Sequence, residues 1–277
     1  MSDTAVLSRE QAAVEGELNY IVGEGPSIRY IDWPEEAHKE QLPQYEPHRM
    51  RIENGRKVAE AFELQKNGFV FRKHPTAVKN FFDEGDVMNT YYPEVEDLIQ
   101  KESGASRVVV FDHTVRTTDA SHHAERWIRQ TVKSVHNDYT ERSAPQRVRD
   151  ILPPDEAEAA LQRRFAIIQV WRGIQQVVES EPLAMCDGRS IPKAGFIRNE
   201  RRYRDRTGET YHIAFNPAHK WYYFPLMKID EALIFKVFDS DASAGVQFTA
   251  HTSFTDPTSP PNAAPRESIE MRAFAFY

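Results

Sequence analysis

The chain has 277 residues, of which 40% are hydrophobic and 28% charged, with a formal net charge of −7. These are the proportions of a globular protein able to bury one large core or two modest ones. The acidic balance excludes a mainly nucleic-acid-binding surface, because phosphate contacts need an excess of cations. A lone cysteine, Cys186, excludes an internal disulfide framework and fits a reducing compartment.

No apolar run reaches bilayer length, and the N-terminus "MSDTAVLSREQAAVEGE" lacks the apolar segment of a signal peptide. A cytoplasmic protein without membrane or nucleic-acid partners is therefore expected. Residues 1–15 read as a flexible tail. "LNYIVGEGPSIRYID" alternates as a strand does. "NGRKVAEAFELQKNGFVFRKHPTAVKNFFD" predicts a helix or turn, a short strand, and a helix entered at Pro75-Thr76. "YYPEVEDLIQKESGAS" predicts a firmer helix, with Pro93 in its first turn, apolar Val95, Leu98 and Ile99, and Gly104 as its stop.

"RVVVFDHTVR" reads as a buried strand, and the polar run Thr114 to Lys133 as a crossing segment. "PDEAEAALQRR" predicts a helix with acidic residues leading and arginines closing. "FAIIQVWRGI", "PLAMCDGRSI", "TYHIAFNP", "KWYYFPLM", "EALIFKVFD", "VQFTAHTSF" and "SIEMRAFAFY" follow as short β-branched or aromatic runs between turn residues. The basic run "RNERRYRDR" is interrupted by acids and reads as a solvated loop or hairpin tip. Helices gather early and strands late. The expectation is a single α+β domain over 1–277: a helical and extended wrapping region over about 16–130, around a double-stranded β-helix (jelly-roll) core over about 131–277.

Three His-x-acid triplets occur: His38-Lys-Glu40, His123-Ala-Glu125 and His136-Asn-Asp138. On a strand, residues two apart face the same way, so an imidazole and a carboxylate converge; on a helix they diverge by about 200°. His38 lies among Pro and charge, and His123 in a helix-compatible polar stretch. Only His136 follows an alternating run, "TVKSV". A third ligand from a distant strand, His251 in "FTAHTSF", would complete the two-histidine, one-carboxylate set of non-haem iron oxygenases.

Fifteen residues later, Arg266 and Ser268 offer a guanidinium fork and a hydroxyl on one strand face. That pair suits the distal carboxylate of 2-oxoglutarate. The ordered set points to Fe(II), 2-oxoglutarate and dioxygen acting on a small molecule. Two other readings stay open: an iron oxidase that uses no 2-oxoglutarate, and a non-catalytic jelly-roll binding protein. Tyr223, in an aromatic cluster, is a further donor for the co-substrate carboxylate. His113 is a candidate pocket residue. Cys186 has no partner of a nucleophile and reads as a small core residue. No Gly-x-Gly-x-x-Gly after a strand and no P-loop is found, against a Rossmann-type enzyme.

These blocks, with "HPTAVKNFFDE", "GASRVVVFDHTVR", "HKWYYFPLMKIDEALIFKVFDS" and "PRESIEMR", occur in an order that resembles one family across nearly the whole chain. It is the group of non-haem iron oxygenases containing cephamycin 7-methoxylase components, fungal gibberellin desaturases and AsaB-like hydroxylase-desaturases. The resemblance implies secondary-metabolic chemistry by C–H hydrogen abstraction: hydroxylation, desaturation or ring closure. It also implies a pocket role for Trp171 and Arg172. The family reads H-x-D-Gln where this chain has Tyr139, and Asn-Val-Trp-Arg-Pro where it has Gln169-Val-Trp171-Arg172-Gly173. Tyr139 and Gln169 therefore join the expected substrate pocket.

Overall fold

The computed structural model describes residues 11–118 and 128–277, and strands dominate both stretches. The first carries β1 (Ala13–Val22), β2 (Ser27–Tyr30), β3 (Gln44–Asn54), β4 (Phe69–Lys73) and β5 (Arg107–Thr117). The second carries β6 (Ile128–Arg129), β7 (His136–Asn137), β8 (Phe165–Gly173), β9 (Leu183–Cys186), β10 (Phe196–Arg202) and β11 (Thr207–Ile213). It ends with β12 (Trp221–Tyr223), β13 (Glu231–Asp239), β14 (His251–Ser253) and β15 (Glu267–Phe276).

Nine strands form one curled sheet in the order β1-β3-β12-β9-β14-β7-β11-β10-β2, and six form the other as β4-β13-β8-β15-β5-β6. Pairing is antiparallel except at β3–β12, β2–β10 and β5–β6. The sheets face each other: the rings of Phe235 on β13 and His251 on β14 lie 4.9 Å apart. This arrangement fits a jelly roll. All nine residues of β8 are buried, as a central strand covered on both faces requires.

The N-terminal region is less helical than its sequence predicts. β1 and β3 pair over ten residues inside the nine-stranded sheet, and β5 lies between β15 and β6 in the other. These strands complete the sheets rather than wrap them, because their alternating apolar residues need a sheet face to bury against. β1 starts at Ala13, inside the expected tail, and β5 carries Thr114–Thr117 of the expected crossing segment. His123 lies outside the described residues.

Helix Tyr92–Ser103 forms as predicted, burying Val95, Leu98 and Ile99 and ending at Gly104, whose φ of 72° provides the left-handed cap. It packs on β5, where the Val110 amide donates to Glu96. No helix begins at Pro75-Thr76. There the amides of Ala77, Lys79 and Asn80 donate to the carboxylates of Glu94 and Asp86, which removes the need for a helical ladder. Conversely, "YTERSAP" leads into an unexpected helix, Ser143–Ile151, where Thr140 Oγ1 accepts from the amides of Arg142 and Ser143. "RNERRYRDR" is only partly a hairpin tip, since Arg198–Arg202 belong to β10. Among the described residues no helix is long and apolar enough to cross a membrane.

Candidate metal centre and its cavity

β7 lies between β14 and β11, and the register sets His136 directly opposite His251 on one side and His212 on the other. Two histidines far apart in sequence thus become cross-strand neighbours, their ring centroids 4.3 Å apart. Asp138 follows two residues after His136, with Oδ1 3.5 Å from His136 Nε2. Asn137, between them, pins the segment by donating to the carbonyls of Tyr139 and, on the opposing sheet, Val237. The potential ligand atoms of His136, Asp138 and His251 all lie within 4.8 Å of one another. Among the described residues this is the group of His, Cys, Asp and Glu side chains suited to hold a metal ion.

Local chemistry suits that use. His136 Nδ1 lies 2.8 Å from the Ser134 carbonyl, which only accepts, so Nδ1 carries the proton and Nε2 presents its lone pair toward Asp138. Burial, then the neighbouring His136, pushes His251 down to about 3, which keeps it neutral. Its Nδ1 is buried without a hydrogen-bond partner. For Asp138, burial favours the neutral acid, but the charges around it, with Arg272 the permanent cation among them, and the Gln169 hydrogen bond outweigh it and hold the carboxyl well below its usual range. Two imidazoles and one carboxylate form the donor set of non-haem Fe(II) sites.

The opposite sheet supports the cluster. β15 pairs with β8 so that Ser268 meets Gly173, Glu270 meets Trp171 and Arg272 meets Gln169, all on one face. From that face Gln169 Nε2 donates to Asp138 Oδ2 at 2.6 Å, and Arg272 Nε stands 3.9 Å from the same oxygen. Arg272 in turn bonds Glu270 and Asp112. Arg266 is 1% exposed. Its guanidinium donates to the Glu181 carbonyl and Ser253 Oγ and lies 5.6 Å from the Trp171 ring centroid. Burial, then Arg116, draws Arg266 down to about 10, so it stays charged at neutral pH. Arg266 Nε and Ser268 Oγ are buried and unpartnered. A buried cation with spare donors beside a spare hydroxyl suits a carboxylate.

Other predicted pocket residues divide by strand alternation. Gln169 and Trp171 face inward. Arg172, the residue after Trp171, does not join the site: it turns to the outer face, where it bonds His74 and the Ile229 carbonyl and lies over Tyr91. Tyr223 is likewise elsewhere. It pairs with Ala184, itself opposite Thr252, so it occupies the sheet face opposite His251 and packs edge-on to Phe254. Tyr139 lines the cavity before the cluster. His113 borders that cavity, but pairs with Met271 and hydrogen-bonds Tyr92 from the helical side. Gly173 has no room for a side chain, since a Cβ would stand 2.3 Å from Val178. Cys186 is buried, and burial pushes its thiol up to about 12, as for an inert core residue.

Asp112, Thr114 and Arg116 were not singled out by sequence, yet they pair with Arg272, Glu270 and Ser268 and face the site. Their signal was the alternation within "VFDHTVR", in which every second residue is polar. The cavity they help line measures about 990 Å³ and reaches His136 and Asp138.

A jelly roll with two histidines and one carboxylate between its sheets, opening on a large cavity, is the architecture of a non-haem iron oxygenase. The sequence matches the family described as Oxidoreductase/YMDC permease-like domain over residues 18–276. It is 32% identical to Hydroxylase/desaturase CTB9 of Cercospora beticola, over 84% of this chain and 78% of that one. It is 28% identical to the Fe(II)/2-oxoglutarate-dependent dioxygenase nvfI of Aspergillus novofumigatus, over 95% of this chain and 96% of that one. The solved iron and alpha-ketoglutarate-dependent endoperoxidase NvfI superimposes with a TM-score of 0.86 at 26% identity, covering 96% of this chain and 98% of that one. The chain belongs to this oxidoreductase family, within the hydroxylase/desaturase group of non-haem iron oxygenases.

Proposed function

We propose that the chain is an Fe(II)- and 2-oxoglutarate-dependent oxygenase that removes hydrogen from a C–H bond of a small natural-product-type molecule, leading to hydroxylation, desaturation or ring closure. The observation that carries this reading is the convergence of His136, Asp138 and His251 within 4.8 Å beside a cavity. These three would hold the iron, and Arg266 with Ser268 would hold the distal carboxylate of 2-oxoglutarate. Bound together, iron, 2-oxoglutarate and dioxygen supply the oxidising power for hydrogen abstraction.

The chain's own residues supply position and charge. Gln169 fixes the Asp138 rotamer through Oδ2, leaving Oδ1 toward His136. Arg272 favours the ionised form of Asp138. The Arg266 guanidinium is preorganised by the Glu181 carbonyl and the Trp171 ring, so little side-chain entropy is lost when an anion arrives. Phe235 packs against His251 and excludes water from its rear.

Iron analysis after anaerobic reconstitution, with succinate measured during aerobic incubation with 2-oxoglutarate, tests the proposal. About one iron per chain and iron-dependent succinate are expected. Iron without succinate would favour the oxidase reading, and no iron would favour a non-catalytic binding protein.

A further inference from the structure

The cavity before the metal cluster is polar to an unusual degree. Binding sites for drug-sized molecules are mostly apolar, yet Pro43 and Val132 are the only aliphatic side chains in the described lining of this one. Its volume of about 990 Å³ far exceeds the needs of a five-carbon diacid, so a larger second molecule has room.

Cations are concentrated at the two sheet edges that flank its mouth. On the nine-stranded sheet, β2 and β10 run parallel with Arg29 directly beside Arg201. On the six-stranded sheet, β5 and β6 run parallel, with exposed Arg129 directly beside Arg116, which lies deeper and faces the site. All four line the cavity. Like charges side by side on adjacent strands cost stability, and here the arrangement occurs twice around one opening. Arg147 and Arg272 are balanced by Asp112 and Glu270, and Arg142 pairs with Glu209. Among the described residues Arg29, Arg129 and Arg201 form no ion pair, and Arg116 donates to the Gln130 carbonyl. In a chain of net charge −7 this local reversal of sign is not a consequence of composition.

We propose, resting on the oxygenase reading, that the molecule oxidised is an organic acid. Its carboxylate or phosphate is held at the mouth by the paired arginines while its carbon skeleton extends to the metal cluster. Guanidinium forks recognise both oxyanions.

The test uses anaerobic enzyme loaded with Fe(II) and 2-oxoglutarate, and three matched fluorescent probes: 4-(1-pyrenyl)butyrate, 4-(1-pyrenyl)butyl phosphate and neutral 4-(1-pyrenyl)butanol. Fluorescence anisotropy gives each affinity. At least one acid should bind about tenfold more tightly than the alcohol, allowing for solvent screening at the rim. That advantage should shrink as salt is raised. Arg29→Gln/Arg201→Gln should bring the acids to within about threefold of the alcohol, while the iron–2-oxoglutarate absorption band persists. The tighter of the two acids identifies the oxyanion. Equal binding of acid and alcohol, or an acid preference unchanged in the double variant, overturns the proposal while the band keeps the oxygenase reading intact. Absence of the band in both proteins overturns the oxygenase reading, and with it the assignment of the acid as substrate.

Discussion

Replacing Arg266 by alanine separates co-substrate binding from metal binding. The guanidinium is 1% exposed and spends one nitrogen on the Glu181 carbonyl and Ser253 Oγ, while Nε has no partner. A charge-assisted hydrogen bond from such a group contributes about 1.5–3 kcal/mol. At about 1.4 kcal/mol per decade, Arg266→Ala should weaken 2-oxoglutarate binding by roughly one to two orders of magnitude. Iron content should stay near wild type, because Arg266 is not among the clustered donors. The variant also removes one of the two donors to the Glu181 carbonyl, leaving Ser253 Oγ at 3.2 Å, at about 0.5–1.5 kcal/mol of stability, so titrations belong well below its lowered melting temperature. Calorimetric titration of 2-oxoglutarate into anaerobic iron-loaded protein reads the effect. Arg266→Lys should recover only part of the affinity, since an ammonium lacks the planar two-point fork. Ser268→Ala should lose less, in the same direction. A lowered melting temperature with unchanged 2-oxoglutarate affinity would refute the reasoning and leave Arg266 a structural cation.

His136→Ala and His251→Ala should each abolish iron retention and succinate formation while the protein remains folded by circular dichroism; full activity in either would sink the metal assignment. Gln169→Leu removes the 2.6 Å hydrogen bond to Asp138, and should lower iron affinity or activity by about 10- to 100-fold, as loss of a ligand-orienting partner does; metal titration checks it. Tyr223→Phe should leave 2-oxoglutarate affinity unchanged, because its ring lies on the far sheet face. Buried Asp239 is bonded by Arg164 and Lys236; burial alone would raise its pKa, but those cations hold it below the usual value. Its contribution to stability is present above the unfolded value of about 3.9 and is lost as pH falls through the lower folded value. Melting temperature should therefore drop on acidification below about pH 4, and Asp239→Asn should cost about 3–5 kcal/mol at neutral pH.

Much of the site was legible because strand period and side-chain chemistry are local properties. His136-x-Asp138 was legible from alternation together with its context, and the proposed Arg266-x-Ser268 pair was read in the same way. His251 was legible only as a strand histidine; its place opposite His136 comes from register, which sequence does not encode locally. The same limit explains Tyr223 and Arg172. Alternation correctly separated Trp221 and Tyr223 from Tyr222, but not which face meets the iron cluster. Arg172 was carried by a block of matching residues, and the β8 alternation turns it outward. The N-terminal strands were underestimated because β1 and β3 satisfy their pattern only within a sheet built from distant segments. The helix expected at Pro75 failed through long-range capping by Glu94 and Asp86. "RNERRYRDR" read as solvated charge because its neighbour β2 lies far back in the sequence.

The most direct test of the account is anaerobic addition of Fe(II) and then 2-oxoglutarate to the purified protein, followed by visible absorption. A weak charge-transfer band that needs both additions, saturates at about one iron per chain, and disappears in His136→Ala and His251→Ala is the predicted result. No band in the wild-type protein, or one that survives loss of either histidine, would contradict the assignment of His136, Asp138 and His251 as the seat of an iron and 2-oxoglutarate chemistry.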